Sequence, residues 1–259
     1  MSMEKVFEIE NLTRRFGGLV AVDNVSFSMD KHTIHSLIGP NGAGKTTIIS
    51  MINGTLPVTS GHIRFYGKEI TDMPTHKISR MGIARTFQNI KLFETLTVEE
   101  NLLLGGDCVY QNDNILKFLF TPGRQKRLEK EARELSGEVM NTLDIYGLRN
   151  ETVSSLAYGR KKVVELARAL MGRPKLILLD EPAAGLNPSE RREFVEQLQK
   201  TFETGIDLFI IEHNMDVVMN LSNAITVVSF GKKIAEGTPK EISNNELVIK
   251  AYLGDRYKA

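Results

Sequence analysis

Apolar and polar positions come in short bursts over the first third of this chain, with Gly and Asn between them. Residues 7–9, 25–29, 34–38 and 62–66 therefore read as strands. From about residue 97 the period becomes helical. Leu128, Ala132, Leu135, Val139 and Leu143 recur at intervals of four, three, four and four, which lines one helix face. Gly147 is placed to close that helix, and Thr121, Pro122 and Gly123 to form the linker before it. Beyond residue 175 the pattern returns to strand at 176–179, helix at 188–202, and strands at 208–211 and 225–230. Asn187 can cap that helix, Pro188 suits its first position and Glu190 its third.

Short apolar strands separated by helices predict an α/β protein with a largely parallel, buried sheet. The early strands predict an antiparallel layer beside it, and the helical stretch reads as an insertion. The expected division is a core with its β layer over about residues 1–90 and 173–259, and a helical subdomain over about 91–172, within one domain. At 259 residues and 41% apolar, the chain has enough material for a sizeable core. Its net charge of +1 gives no global electrostatic reason to expect nucleic acid as a partner. The one cysteine, Cys108, leaves no intrachain disulfide, suits a reducing compartment and reads as an apolar filler. No apolar run is long enough to span a membrane, and the N-terminus lacks a signal-peptide core. Work at a membrane would need another chain to span it. Lys161, Lys162, Arg191 and Arg192 read as solvated helix faces. His32, His35, His62 and His76 lack metal-ligand spacing and read as structural or exposed.

Residues 39–47 change the picture, because they read GPNGAGKTT. Gly39, four residues, then Gly44, Lys45 and Thr46 is the spacing of a phosphate-binding loop. An apolar strand enters the run and a helix-compatible segment leaves it, which is the context the motif needs. Glycines let successive N–H groups turn inward around a phosphate. The helix that follows offers free amides and the positive end of its dipole. Gly39, Pro40, Asn41, Gly42, Ala43, Gly44, Lys45, Thr46 and Thr47 are thus the candidate nucleotide contacts. Lys45 would reach the outer phosphates and Thr46 would hold magnesium. The apolar run 176–179 ends in Asp180 and Glu181, delivered to the same sheet edge. Asp180 suits a magnesium role through water, and Glu181 suits polarising the water that attacks the γ-phosphate.

With these pieces in this order the chain resembles the ATP-binding-cassette family over nearly its full length, and so a phosphate-loop NTPase core. The resemblance implies ATP and magnesium as cofactors. It implies that Gln88 touches magnesium, that His213 is the switch histidine beside the γ-phosphate, and that Phe16 stacks on adenine. Leu156-Ala-Tyr-Gly159-Arg160 stands where the family carries its signature, LSGGQ. Ala157 replaces the serine whose hydroxyl reaches a nucleotide on the opposite subunit, and Tyr158 replaces a glycine. Ala157, Tyr158 and Gly159 would approach that nucleotide in trans, with the Gly159 backbone and the helix N-terminus still available. Arg160 replaces glutamine, either as an added cation or facing solvent. Asn187 replaces an aspartate.

The resemblance implies that two such chains, head to tail, bury two ATP molecules between them. LAYG, the insert FTPGRQKRLEKEA, the run DEPAAGLNP and the tail EGTPKEI…VIKAYLG look like the ATPase subunit of branched-chain amino-acid importers. Implied partners are a second cassette, alike or different, two membrane permeases docked near residues 88–104, and, indirectly, an extracytoplasmic binding protein. That would hold the chain at the cytoplasmic face of the plasma membrane. The alternatives are a related lipid or lipopolysaccharide exporter ATPase, a soluble cassette acting on DNA or ribosomes, and a phosphotransferase or GTPase on the same loop. The insert and LAYG argue against the first. The lack of long coiled coils or a second cassette argues against the second, and the lack of an NKxD motif against the third.

Overall fold

A computed structural model describes residues 4–86, 90–106 and 122–253. Strands β1 (Lys5–Phe16) and β2 (Leu19–Asp30) form a long hairpin, and β3 (Ile34–Ile38) runs into helix α1 (Lys45–Ile52). Then come β4 (Ser60–Phe65), β5 (Lys68–Glu69), α2 (Thr75–Arg80) and β6 (Ile83–Arg85). Helices α3 (Val98–Gly105), α4 (Pro122–Thr142) and α5 (Tyr158–Leu170) follow. The chain returns through β7 (Leu176–Asp180), α6 (Pro188–Glu203), β8 (Asp207–Ile211), α7 (Met215–Leu221), β9 (Ala224–Ser229) and β10 (Lys232–Gly237). Two short helices, α8 (Pro239–Ser243) and α9 (Glu246–Leu253), end the described part.

Two sheets result, as the sequence predicts. The antiparallel one has order β2-β1-β4-β5, and the larger one β10-β9-β3-β8-β7-β6. In the larger sheet β9, β3, β8, β7 and β6 are parallel and β10 is antiparallel to β9. The two-residue period of its central strands divides the core. Leu176 and Leu178 of β7, with Phe209 and Ile211 of β8, face α1 and the antiparallel layer. Ile177 and Leu179, with Leu208 and Ile210, face the other way, against residues of α4, α5 and α6. Both faces are covered, so both strands are apolar throughout the buried run.

Several local expectations need correcting. Helix α4 stops at Thr142, and Gly147 lies in a 3₁₀ turn (Tyr146–Leu148). The stop is made by Asp144, at φ 54. Its N–H bonds the Asn141 carbonyl, and the Ile145 N–H reaches back to the Met140 carbonyl. That is a Schellman ending, closed by burial of Ile145. Aspartate tolerates the left-handed conformation, so no glycine is required. Pro122 and Gly123 belong to the first turn of α4, where the fixed φ of proline fits a helix start. β9 ends at Ser229, and Phe230 forms an exposed turn. Lys162 is buried, at 2% exposure, instead of solvated. It precedes Leu166 by four residues, so it shares that residue's inward face. Cys108 lies outside the described residues.

Candidate functional site

The parallel register sets the site. Leu37 of β3 pairs with Ile211 of β8, and Ile211 pairs with Asp180 of β7. Whatever follows these strands therefore emerges at one edge: the phosphate loop after β3, Glu181 after β7, His213 after β8. β6, which ends just before Gln88, is the next strand over. Gln88 itself lies outside the described residues.

The loop is built around close backbone approaches. A Cβ on Gly39 would lie 2.0 Å from the Val228 carbonyl oxygen, and one on Gly44, at φ +100, would lie 2.6 Å from that of Ala21. Only glycine fits either place. The Ala43 carbonyl accepts from the Gly231 N–H at 3.1 Å, which ties the loop to the β9–β10 turn. Helix α1 starts with Gly44 as its cap, without a side-chain capping bond or an acid in the first turn. Its N-terminal amides are left for an anion, which is what a polyphosphate needs. Asn41, Gly42 and Thr46 are exposed, and Pro40 and Thr47 half-buried. Lys45 is largely buried and folds over the loop, its Nζ donating to the carbonyls of Gly39 at 2.7 Å and Pro40 at 3.0 Å. Burial lowers the Lys45 pKa, and the charges of Glu181 and Asp180 act in the opposite sense.

Asp180 is buried and pairs with Arg85 of β6 at 2.9 Å. Arg85 also reaches the Ser50 hydroxyl of α1 at 3.3 Å. Glu181 takes the left-handed conformation, at φ 48, with its N–H on the Ile211 carbonyl at 2.9 Å. Its Oε2 lies 3.7 Å from His213 Nδ1, so the two side chains expected to act together are neighbours. Among the described residues no three His, Cys, Asp or Glu side chains cluster as a metal cage. A hard cation at Thr46 and Asp180 would draw its remaining ligands from phosphate and water.

The signature residues sit elsewhere. Ala157 caps α5 with its backbone alone. Tyr158 is exposed, its ring packed on Gly185, and Gly159 packs on the Glu190 side chain. The partners of Gly39 and Gly44 come instead from β9 and β2. Arg160 points to Glu193 at 3.8 Å and remains largely exposed. Phe16 closes β1 with 44% of its surface exposed and the Arg14 guanidinium 4.6 Å over its ring.

Sequence reasoning missed Arg85, Lys162 and Glu212. Arg85 gives no local signal. Glu212 repeats the pattern of Asp180, an acid ending an apolar strand, and that signal was available. Its carboxylate accepts N–H bonds from Ala183, His213 and Asn214.

The family description "ABC transporter" matches residues 22–184, and "Branched-chain amino acid ATP-binding cassette transporter" matches residues 232–258. The chain is 42% identical over 251 residues to the high-affinity branched-chain amino acid transport ATP-binding protein BraF of Pseudomonas aeruginosa, covering 96% of this chain and 98% of that one. It is 39% identical over 255 residues to LivG of Escherichia coli K12, with coverages of 97% and 99%. Among solved structures, the ADP conformation of an ATP-binding cassette of an ABC transporter superposes with a TM-score of 0.85 at 33% identity, covering 97% of this chain and 99% of that one. A nucleotide-free ATP-binding cassette gives 0.84 at 32% identity, with coverages of 97% and 100%.

Proposed function

The chain belongs to the ABC transporter family, and on that premise we propose that it is the ATP-hydrolysing subunit of a branched-chain amino-acid importer. One observation carries the ATPase reading: the phosphate loop, Asp180, Glu181 and His213 meet at one edge of a parallel sheet. The cargo rests on likeness to BraF and LivG and on the match over residues 232–258.

Each residue then has a task. The amides of the loop from Gly39 to Thr47 and the α1 N-terminus bind the phosphates of ATP. Lys45 exchanges its two loop carbonyls for phosphate oxygens. Phe16 supplies a face for adenine. Magnesium would neutralise phosphate charge, and Thr46, Asp180 through water, and Gln88 are the residues to hold it. Glu181 orients and polarises the attacking water, and His213 sits beside the γ-phosphate. The core and the helical segment around residues 91–172 form one cassette. Ala157, Tyr158 and Gly159 meet the nucleotide of a second cassette, so ATP favours closure and hydrolysis reopens the pair. Among the described residues no helix is long and apolar enough to cross a membrane. By its likeness to transporter ATP-binding subunits, the chain would act peripherally, at the cytoplasmic face, on two permeases fed by a binding protein.

Glu181→Gln tests this. It should keep ATP affinity, lower phosphate release about 10²–10⁴-fold, and accumulate an ATP-dependent dimer in gel filtration. Full turnover by the purified variant would reject the role. Mild-detergent purification of the tagged chain should bring permeases that transport branched-chain amino acids in proteoliposomes. A lipid-exporting partner would overturn the cargo.

A further inference from the structure

Glu212 stands between the loops that carry the hydrolytic pair, and the mechanism above does not use it. It is fully buried, with an exposure of 0%. Its Oε1 accepts from the Ala183 N–H at 2.9 Å. Its Oε2 accepts from the His213 N–H at 3.0 Å and the Asn214 N–H at 3.1 Å. One carboxylate thus bonds the backbone two residues after Glu181 and the backbone that carries His213. Bonds from N–H groups to an ionised carboxylate are short and strong, and a dry surrounding strengthens them.

The loop it holds needs holding. Glu181 lies at φ 48, a conformation uncommon for residues other than glycine. The bonds around that turn include the Glu181 N–H to the Ile211 carbonyl, the Ala184 N–H to the Glu181 carbonyl at 3.1 Å, and the Ala183 N–H to Glu212. The last is made by a side chain that also holds His213.

Lys162 of the signature helix is buried, and its ammonium feels the carboxylates of Glu165, Glu212, Asp180 and Glu181, in that order. Burial lowers the Lys162 pKa and these acids oppose the fall. The same ammonium lies 5.8 Å from the centre of the Tyr158 ring, which packs on Gly185 of the Glu181 loop.

We propose that Glu212 is a positioning residue for hydrolysis: its carboxylate fixes the Glu181 and His213 loops at one spacing. This rests on Glu181 and His213 as the hydrolytic pair.

The test is Glu212→Gln. Glutamine has the same shape, but one arm becomes an NH₂ that cannot accept, so at least one loop loses its anchor. Turnover per ATP-binding site should fall 10-fold or more, with the KM for ATP within 3-fold of the parent. A merely structural carboxylate would lower the melting temperature and leave turnover of the folded, ATP-binding fraction intact. Turnover within 3-fold of the parent overturns the proposal, as does a parallel loss of ATP affinity. Should the variant not fold, residue-resolved hydrogen exchange on the unmodified protein decides. The amides of Ala183, His213 and Asn214 should share one protection factor and shift together when ATP and magnesium are added. Independent protection overturns the clamp. That readout stands apart from the hydrolytic assignment, which fails separately if Glu181→Gln retains turnover.

Discussion

Acid should destabilise this protein through one buried ring. His35 is the second residue of β3, the strand that feeds the candidate phosphate loop, at 1% exposure. Its ring packs in a triangle with Phe27, centroids 5.6 Å apart, and Phe209, 5.7 Å apart, and its Nε2 meets the Thr226 hydroxyl at 2.9 Å. No carboxylate pairs with it among these contacts, so burial alone pushes its pKa from 6.5 down to about 4. The native ring stays neutral while the unfolded ring takes up a proton. Stability from this site is therefore complete above the unfolded value and is lost as pH falls from there toward about 4. At about 1.36 kcal/mol per pKa unit the full gap is worth about 3 kcal/mol, of which about 2 kcal/mol is lost between about pH 7.5 and about pH 5. Urea unfolding without nucleotide, at both pH values, should be run on the parent and on His35→Leu. Other groups titrate in both proteins, so the difference of differences isolates the ring. The parent should lose about 2 kcal/mol more than the variant. Equal losses would refute the reasoning.

Two further outcomes follow from local geometry. Gly44→Ala forces a left-handed backbone on a residue whose Cβ would lie 2.6 Å from the Ala21 carbonyl oxygen. It should cost about 1–3 kcal/mol of stability and weaken ATP binding at least about tenfold, read by thermal melting and nucleotide titration. Thr97→Ala removes the capping box that Thr97 and Glu100 form at the start of α3. It should cost about 1 kcal/mol by urea unfolding, with turnover of the isolated chain unchanged.

The candidate site was legible where chemistry is carried by adjacent residues. GPNGAGKTT is one loop, and Asp180-Glu181 ends one strand, so spacing alone exposed both. The cap of α6 was equally local: Asn187 accepts from the N–H groups of Ser189 and Glu190, as the Asn-Pro-x-Glu order predicts. Lys162 was misread because a lysine pair looks solvated in a list of letters, although its fourfold spacing to Leu166 told otherwise. Arg85 was invisible because its partner, Asp180, is 95 residues away. The stop of α4 was misplaced because aspartate can do what glycine usually does there.

The order of residues by itself determined the kinds of element, the candidate phosphate loop and the acids beside it, since each depends on neighbours within a few positions. Only the folded sheet decided that β8 lies between β3 and β7. That placement brings His213 to Glu181 and lets the Glu212 carboxylate bridge two loops that are 29 residues apart. Strand order is a property of pairing across the chain, where hydrogen bonds and burial are satisfied at a distance, and no local pattern encodes it.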